Sequence, residues 1–234
     1  MRHPLLALTT AIDTYIDSRP LQHRELAGIR RRLQERLRPA SLADLDPPRH
    51  DPAVHHPRHQ EMQPAFELAR RQGAGEIIDA LAVANDYLTW VSYDSYPPAE
   101  IGSRFPQQHL FASLISPVDP TWSHDFDCGL FWIAPQTLYR DHHHQSPELY
   151  LPLTGPSQWR FGPDRPWMER QAGELIWNAS HVIHATLVTD VPLLCLYAWT
   201  AHLDAPAQVV PATDWQDIEA GLAQSNERQS ARQI

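Results

Sequence analysis

Lysine is absent from this chain: all 19 basic residues are arginine. That removes Schiff-base chemistry through a side-chain amine, and with it the lysine that grips phosphates in nucleotide-binding loops. A formal net charge of -9 argues against the phosphate-backbone partners that call for a basic face, so nucleic acid is not an expected partner. Cysteine is nearly missing too. Cys128 and Cys195 sit in the apolar runs CGLFWIA and PLLCLYAW and are read as two buried free thiols. No apolar run approaches the length of a transmembrane helix. The N-terminus has only a four-residue apolar stretch before Thr9 and meets Asp13 soon after, so it is not read as a signal peptide. A cytoplasmic protein with no membrane partner is expected.

What is present is an ordinary globular balance, 42% hydrophobic and 20% charged over 234 residues, enough to bury a sizeable core. Apolar residues recur at helical spacing over 5–16 and 21–37, with further helices predicted near 61–71 and 75–90. Between them the stretch 39–60 is rich in Pro, Asp and His and reads as a polar linker; its histidines His50, His55, His56 and His59 lack a carboxylate or Cys at fixed spacing. After Pro98 the texture turns to short strands, predicted at 109–115, 128–134, 148–153, 158–161, 174–177, 182–189 and 193–199, with a last short helix over 212–223 before a polar tail expected to end disordered. Turn signals such as Thr154-Gly155-Pro156 separate the strands. The chain thus divides into a helical N-terminal extension (1–98), a β-domain (99–210) and a C-terminal helix and tail (211–234). Short antiparallel strands of this kind pack as a double-sheet jelly roll.

The chemistry concentrates in the run H-x-H-x3-E-x6-G formed by His142, His144, Glu148 and Gly155. Two imidazoles and a carboxylate are the ligands that transition-metal sites draw on, and they leave positions free for a substrate. In an extended segment side chains alternate between faces. His142, His144, Glu148 and Tyr150 can therefore share one side, with Leu149, Leu151 and Leu153 on the other. His143 points to the opposite face and is not expected to be a ligand. A further ligand is expected downstream, where His181 and His184 compete; a strand beginning near Val182 favours His184 and leaves His181 at its mouth.

The spacing resembles the paired motifs of the cupin superfamily over about residues 105–200. Gly173 and His184 match the second motif, whereas its proline position is Ala179, its second glycine His181 and its final Asn Val188; the glycine that opens the first motif is Gln136. The stretches from Tyr139 to Tyr150, from Gly173 to His184 and from Pro192 to Trp199 are similar to the cupin-type dimethylsulfoniopropionate (DMSP) lyases. That resemblance implies a mainly β fold with an α-helical N-terminal extension, a single cupin (double-stranded β-helix, jelly-roll) barrel. It implies His142, His144, Glu148 and His184 as ligands of one divalent transition metal ion (Zn, Fe, Mn, Ni or Co), with Tyr139 and Tyr150 flanking the substrate. The implied activity is a metal-dependent carbon–sulfur lyase that splits DMSP into dimethyl sulfide and acrylate.

The residues suit such a β-elimination. A base must remove the proton alpha to a carboxylate, and a metal beside that carboxylate takes up the developing charge. Tyr150, two residues beyond Glu148 on the same face, is the first choice of base and Tyr139 the second, because a nearby divalent cation lowers a phenol's pKa. A sulfonium favours aromatic faces, for which Trp177, Tyr197 and Trp199 are the candidates. Arg140 and Arg160 are read as strand-edge arginines with no assigned role. The expected partner is a small molecule, with a homodimer left open. Two other classes share the ligands: a metal-dependent cupin dioxygenase or isomerase acting on another small acid, and a non-catalytic ligand-binding cupin.

Overall fold

The computed structural model describes residues 3–19, 23–36, 58–93, 96–117 and 121–232. The 39–60 linker, with His50, His55 and His56, therefore falls outside the described residues up to 57. Six helices are described: α1 (Pro4–Asp17), α2 (Arg24–Arg36), α3 (Gln63–Ala69), α4 (Gly75–Ala84), the one-turn α5 (Pro98–Ile101) and α6 (Trp215–Arg232). Eleven strands run β1 (His109–Ser116), β2 (Thr121–Trp122), β3 (Asp127–Ile133), β4 (Thr137–His143), β5 (Glu148–Pro152), β6 (Ser157–Arg160), β7 (Met168–Arg170), β8 (Ile176–Asn178), β9 (His184–Val188), β10 (Leu193–Trp199) and β11 (Gln208–Val209). They form a six-stranded sheet, β2-β1-β3-β10-β5-β8, and a five-stranded sheet, β11-β4-β9-β6-β7. All pairs are antiparallel except β1–β2.

Alternation along the strands builds the layers. In the six-stranded sheet Leu110, Ala112, Leu114, Cys128, Leu130, Trp132, Leu149, Leu151, Leu194 and Leu196 share one apolar cluster with the helices, through Leu5, Leu8, Ile12, Leu33, Met62, Phe66, Ile77 and Leu81. The helical segment therefore covers the outer face of this sheet, which is why β5 is buried at every position. The inner face contributes Phe131, Ile133, Tyr150, Ile176, Cys195 and Tyr197, which meet Tyr139, Trp159 and Val188 from the five-stranded sheet in a second cluster. α6 closes the far side, where Trp215 and Leu222 pack on Leu138 of β4. No helix among the described residues is long and apolar enough to cross a membrane.

The expected double-sheet jelly roll is present, as two facing sheets that hydrogen bonds do not close into one ring. Other expectations are corrected. The helix predicted over 75–90 stops at Ala84, and after a 3-10 turn at Asn85–Tyr87 the chain turns extended; there Asn85 Oδ1 accepts the Trp90 indole N–H at 2.9 Å. The C-terminal helix runs to Arg232, through the tail that was expected to be irregular. Strands β2, β4, β7 and β11 had no counterpart among the predicted strands. In β4 the cause is a bulge: Tyr139 pairs with Thr186 and His142 with His184, so one strand spends three steps where its partner spends two. That extra residue destroys the simple alternation by which a strand is recognised.

The arginines set aside at the sequence level hold α6 in place. Arg160 is buried and pairs with both Asp141 and Asp214, with Asp141 also accepting the Trp215 indole N–H at 2.8 Å. Arg140 meets Glu219 of α6 through two hydrogen bonds of 2.8 Å. Forked pairing of this kind fixes orientation as well as charge.

Candidate metal centre and its cavity

His142 and His184 are directly opposed across β4 and β9, His144 follows at the end of β4, and Glu148 opens β5 in the other sheet. The four therefore converge from both sheets at one end of the sandwich. Donor nitrogens of His142, His144 and His184 lie within 4.8 Å of one another, and all three rings are buried. Glu148 Oε2 is 3.0 Å from His144 Nε2 and 3.4 Å from His184 Nε2, while its Oε1 accepts the Trp199 indole N–H at 2.7 Å.

The tautomers are set by the backbone. His142 Nδ1 lies 2.8 Å from Arg140 O, His144 Nδ1 2.7 Å from Ser146 O and His184 Nδ1 2.9 Å from Val182 O. A carbonyl only accepts, so each Nδ1 carries a proton and each Nε2 is turned to the centre, as the atom that a metal would take. The Nε2 atoms of His142 and His184 are buried without a hydrogen-bond partner. Buried polar atoms are rarely left so, and this donor set suits a divalent ion. Burial, then the neighbouring His184 and His144, keep His142 well below the ordinary imidazole range, so it stays neutral. Burial opposes charge on Glu148, but His144 and His184 outweigh it and hold the carboxyl well below its usual range.

The two competing histidines are separated by the fold. His143 and His181 lie on the outside, their Nδ1 atoms 3.4 Å apart, and His181 does not join the buried cluster. The backbone of His181 has φ of 62°, and that of Gln136 has φ of 58°. Both occupy cupin glycine positions and keep the left-handed conformation that glycine would supply without strain. Gln136 is tied there by its amide, which donates to Thr189 O at 3.0 Å and Asp190 Oδ1 at 2.9 Å.

A cavity of about 180 Å³ adjoins Glu148. Tyr139, Tyr150, Tyr197 and Trp199 line it, as four of the sequence candidates. The bulge in β4 brings Tyr139 to the same side as His142, their rings stacked at 4.0 Å, and its hydroxyl lies 2.5 Å from that of Tyr96. Tyr150 packs between Phe131 and Trp159. Burial, then the Glu148 carboxylate, raise Tyr150 well above the ordinary phenol range. Trp177 does not line the cavity and is a correction. It pairs with Leu149 and so takes that residue's outward face, where it packs with the helical cluster and His23.

Other lining residues carried no sequence signal. Tyr93, Tyr96 and Phe105 come from the segment before β1, and Asp127 opens β3. His109 is a structural neighbour: its Nε2 accepts the Tyr93 N–H at 2.8 Å and its Nδ1 donates to Phe105 O at 2.6 Å. Burial lowers its pKa to about 4 and keeps it neutral.

The family model for dimethylsulfoniopropionate lyase matches residues 29–195. A curated relative, the putative dimethylsulfoniopropionate lyase DddL of Cereibacter sphaeroides, is 26% identical over 169 residues, 68% of this chain and 66% of the relative. The chain thus spans just under two thirds of that relative's length. Among solved structures, a chain from the crystal structures of the DMSP lyases RdDddP and RnDddQII superposes with a TM-score of 0.61 at 19% identity, over 89% of this chain and 98% of its own. The DMSP lyase DddQ from Ruegeria pomeroyi gives 0.60 at 20% identity, with the same coverage of 89% and 98%. These two likenesses are likenesses of fold.

Proposed function

This chain belongs to the dimethylsulfoniopropionate lyase family, and from that premise we propose that it cleaves DMSP into dimethyl sulfide and acrylate by a metal-dependent β-elimination. The observation that carries the reading is the convergence of three buried imidazoles, each with Nδ1 held by a carbonyl, beside Glu148 and a cavity lined by Tyr150. In this reading His142, His144, Glu148 and His184 hold one divalent transition metal ion. Such an ion supplies Lewis-acid stabilisation of the charge that builds on a substrate carboxylate.

The remaining work belongs to the chain. Tyr150, as phenolate, takes the proton from the carbon alpha to the carboxylate. The electron pair of that C–H bond becomes the new C=C bond, the C–S bond breaks, and its pair leaves on sulfur as neutral dimethyl sulfide. A leaving group that departs neutral from a cation needs no general acid. Burial opposes the phenolate and a divalent cation favours it, which is a reason to place the base within reach of the histidine cluster. Tyr139, hydrogen-bonded to Tyr96 and stacked on His142, is the second candidate base. Tyr197 and Trp199 offer ring faces to the sulfonium. The described helices of segment 1–98 cover the sandwich of the 99–210 unit, and the helix of 211–234 seals its other face; a cytoplasmic location belongs to the same reading, and light scattering decides between monomer and homodimer.

Purified protein loaded in turn with Zn, Fe, Mn, Ni or Co and sealed with DMSP tests the reading. Dimethyl sulfide in the headspace, lost on chelation and restored by metal, is the expected result. No product with any of these ions, coupled to oxygen uptake on other small acids, would replace the lyase with an oxygenase.

A further inference from the structure

The cavity carries a second acid that the elimination does not use. Asp127 of β3 and Glu148 of β5 pair with the same residue of β10, Trp199, from opposite sides. Paired residues share a sheet face, so the two carboxylates flank the indole in one row, about 10 Å apart at the backbone by two strand spacings. Asp127 Oδ1 accepts the Tyr197 hydroxyl at 2.9 Å, and Ser113 Oγ lies 2.8 Å from that hydroxyl. Among the described residues no arginine pairs with Asp127, and the cavity's lining includes none. Only the neutral His109 represents the basic residue types there.

We propose that Asp127, aimed by Tyr197 and Ser113, is the counter-ion that makes this cavity select carboxylic acids bearing a permanent onium cation over neutral acids of the same shape. The proposal rests on the DMSP reading and deepens it, since it divides the cavity into a carboxylate pole near Glu148 and a cation pole at Asp127. A cavity of aromatic rings and acids, with no guanidinium, offers a carboxylate only phenol hydroxyls and a bound metal, and offers a cation both negative charge and ring faces. Burial pushes the Asp127 carboxyl up to about 6, against hydrogen bonds from Tyr197 and Ser113, so at neutral pH it is largely ionised in a poorly solvating place. A cation completes it. The positive charge also disappears as the C–S bond breaks. Attraction to Asp127 is therefore stronger in the bound substrate than in the transition state, and its loss should appear in KM rather than in kcat.

An isosteric pair isolates charge: 3-(trimethylammonio)propanoate and 4,4-dimethylpentanoate, which differ in shape by almost nothing. Calorimetry on the metal-loaded protein should give a preference for the ammonium acid of about tenfold or more, which Asp127→Asn abolishes and Asp127→Glu largely keeps. Tyr197→Phe, which retains the ring and removes the aiming hydroxyl, should lose about threefold of it. With DMSP, Asp127→Asn should raise KM about tenfold and leave kcat within about threefold. Equal binding of the two acids by the wild type, or an undiminished preference in both Asp127→Asn and Tyr197→Phe, overturns the proposal. Charge preference that depends on Asp127 in a protein releasing no dimethyl sulfide would uphold the cation pole and remove the lyase reading alone.

Discussion

Glu148 and Asp127 stand in one row of one sheet, on either side of one indole, and their environments drive them in opposite directions. Glu148 lies among imidazoles, which overcome burial and hold it ionised far below the usual carboxylate range. Asp127 has hydroxyls for hydrogen-bond partners, and burial, helped by the Glu148 charge across the indole, wins and raises it to about 6. Position in a fold therefore does not set the task of a carboxylate; the charges it faces do. On the proposed reading, one acid sits beside a metal. The other is left short of a cation.

The largest effect should come from removing the first pole. Glu148→Gln keeps the shape and the Trp199 contact while withdrawing the charge, and we expect at least about a thousandfold loss of turnover with a matching fall in metal content by elemental analysis. Full metal content together with wild-type rate would break the comparison. Tyr150→Phe should cost about 10² to 10⁴ in kcat with metal content unchanged, because it removes a proton acceptor and no ligand. If Tyr139→Phe shows that loss instead, the two tyrosines exchange roles.

A pH series sharpens the second pole. Asp127 is charged above its pKa of about 6 and neutral below it, so the preference for the ammonium acid over its neutral isostere should be full above pH 7 and fade as pH falls through about 6. Taking the ratio of the two affinities cancels protonation of the histidines, which both acids share. A ratio that stays flat from pH 8 to pH 5 would show that the rings alone select the cation. The smallest effect concerns the turn before β4: Gln136→Gly relieves a left-handed backbone but gives up two side-chain hydrogen bonds, and should change stability by less than about 1 kcal/mol in denaturant melts.

Much of the site was legible because strands alternate. His142, His144, Glu148 and Tyr150 could be placed on one side from their even numbering, and the outward leucines of β5 from their odd numbering, and the packing follows that division. Tyr139 was not placeable, since its number is odd and only the bulge returns it to the side of His142. Trp177 was misplaced because the face of a three-residue strand depends on which residue it pairs with, and that pairing is tertiary. Asp127 had no motif. A single acid at the first position of a strand looks like any solvated end until the aromatic segment before β1 and the Tyr197 hydroxyl close around it. The turn positions show the reverse case: Gln136 and His181 differ from the cupin pattern in identity and keep its geometry.

The bulge in β4 has a consequence for counting along the chain. Upstream of it the inward residues of this strand follow odd numbers, downstream even ones, so residue spacing is a sound ruler on either side and a false one across it. A homologue lacking one residue between Tyr139 and His142 would run there as a regular strand, with its tyrosine two positions before the histidine and still inward. An ungapped alignment through this stretch would then equate the inward Tyr139 with an outward residue.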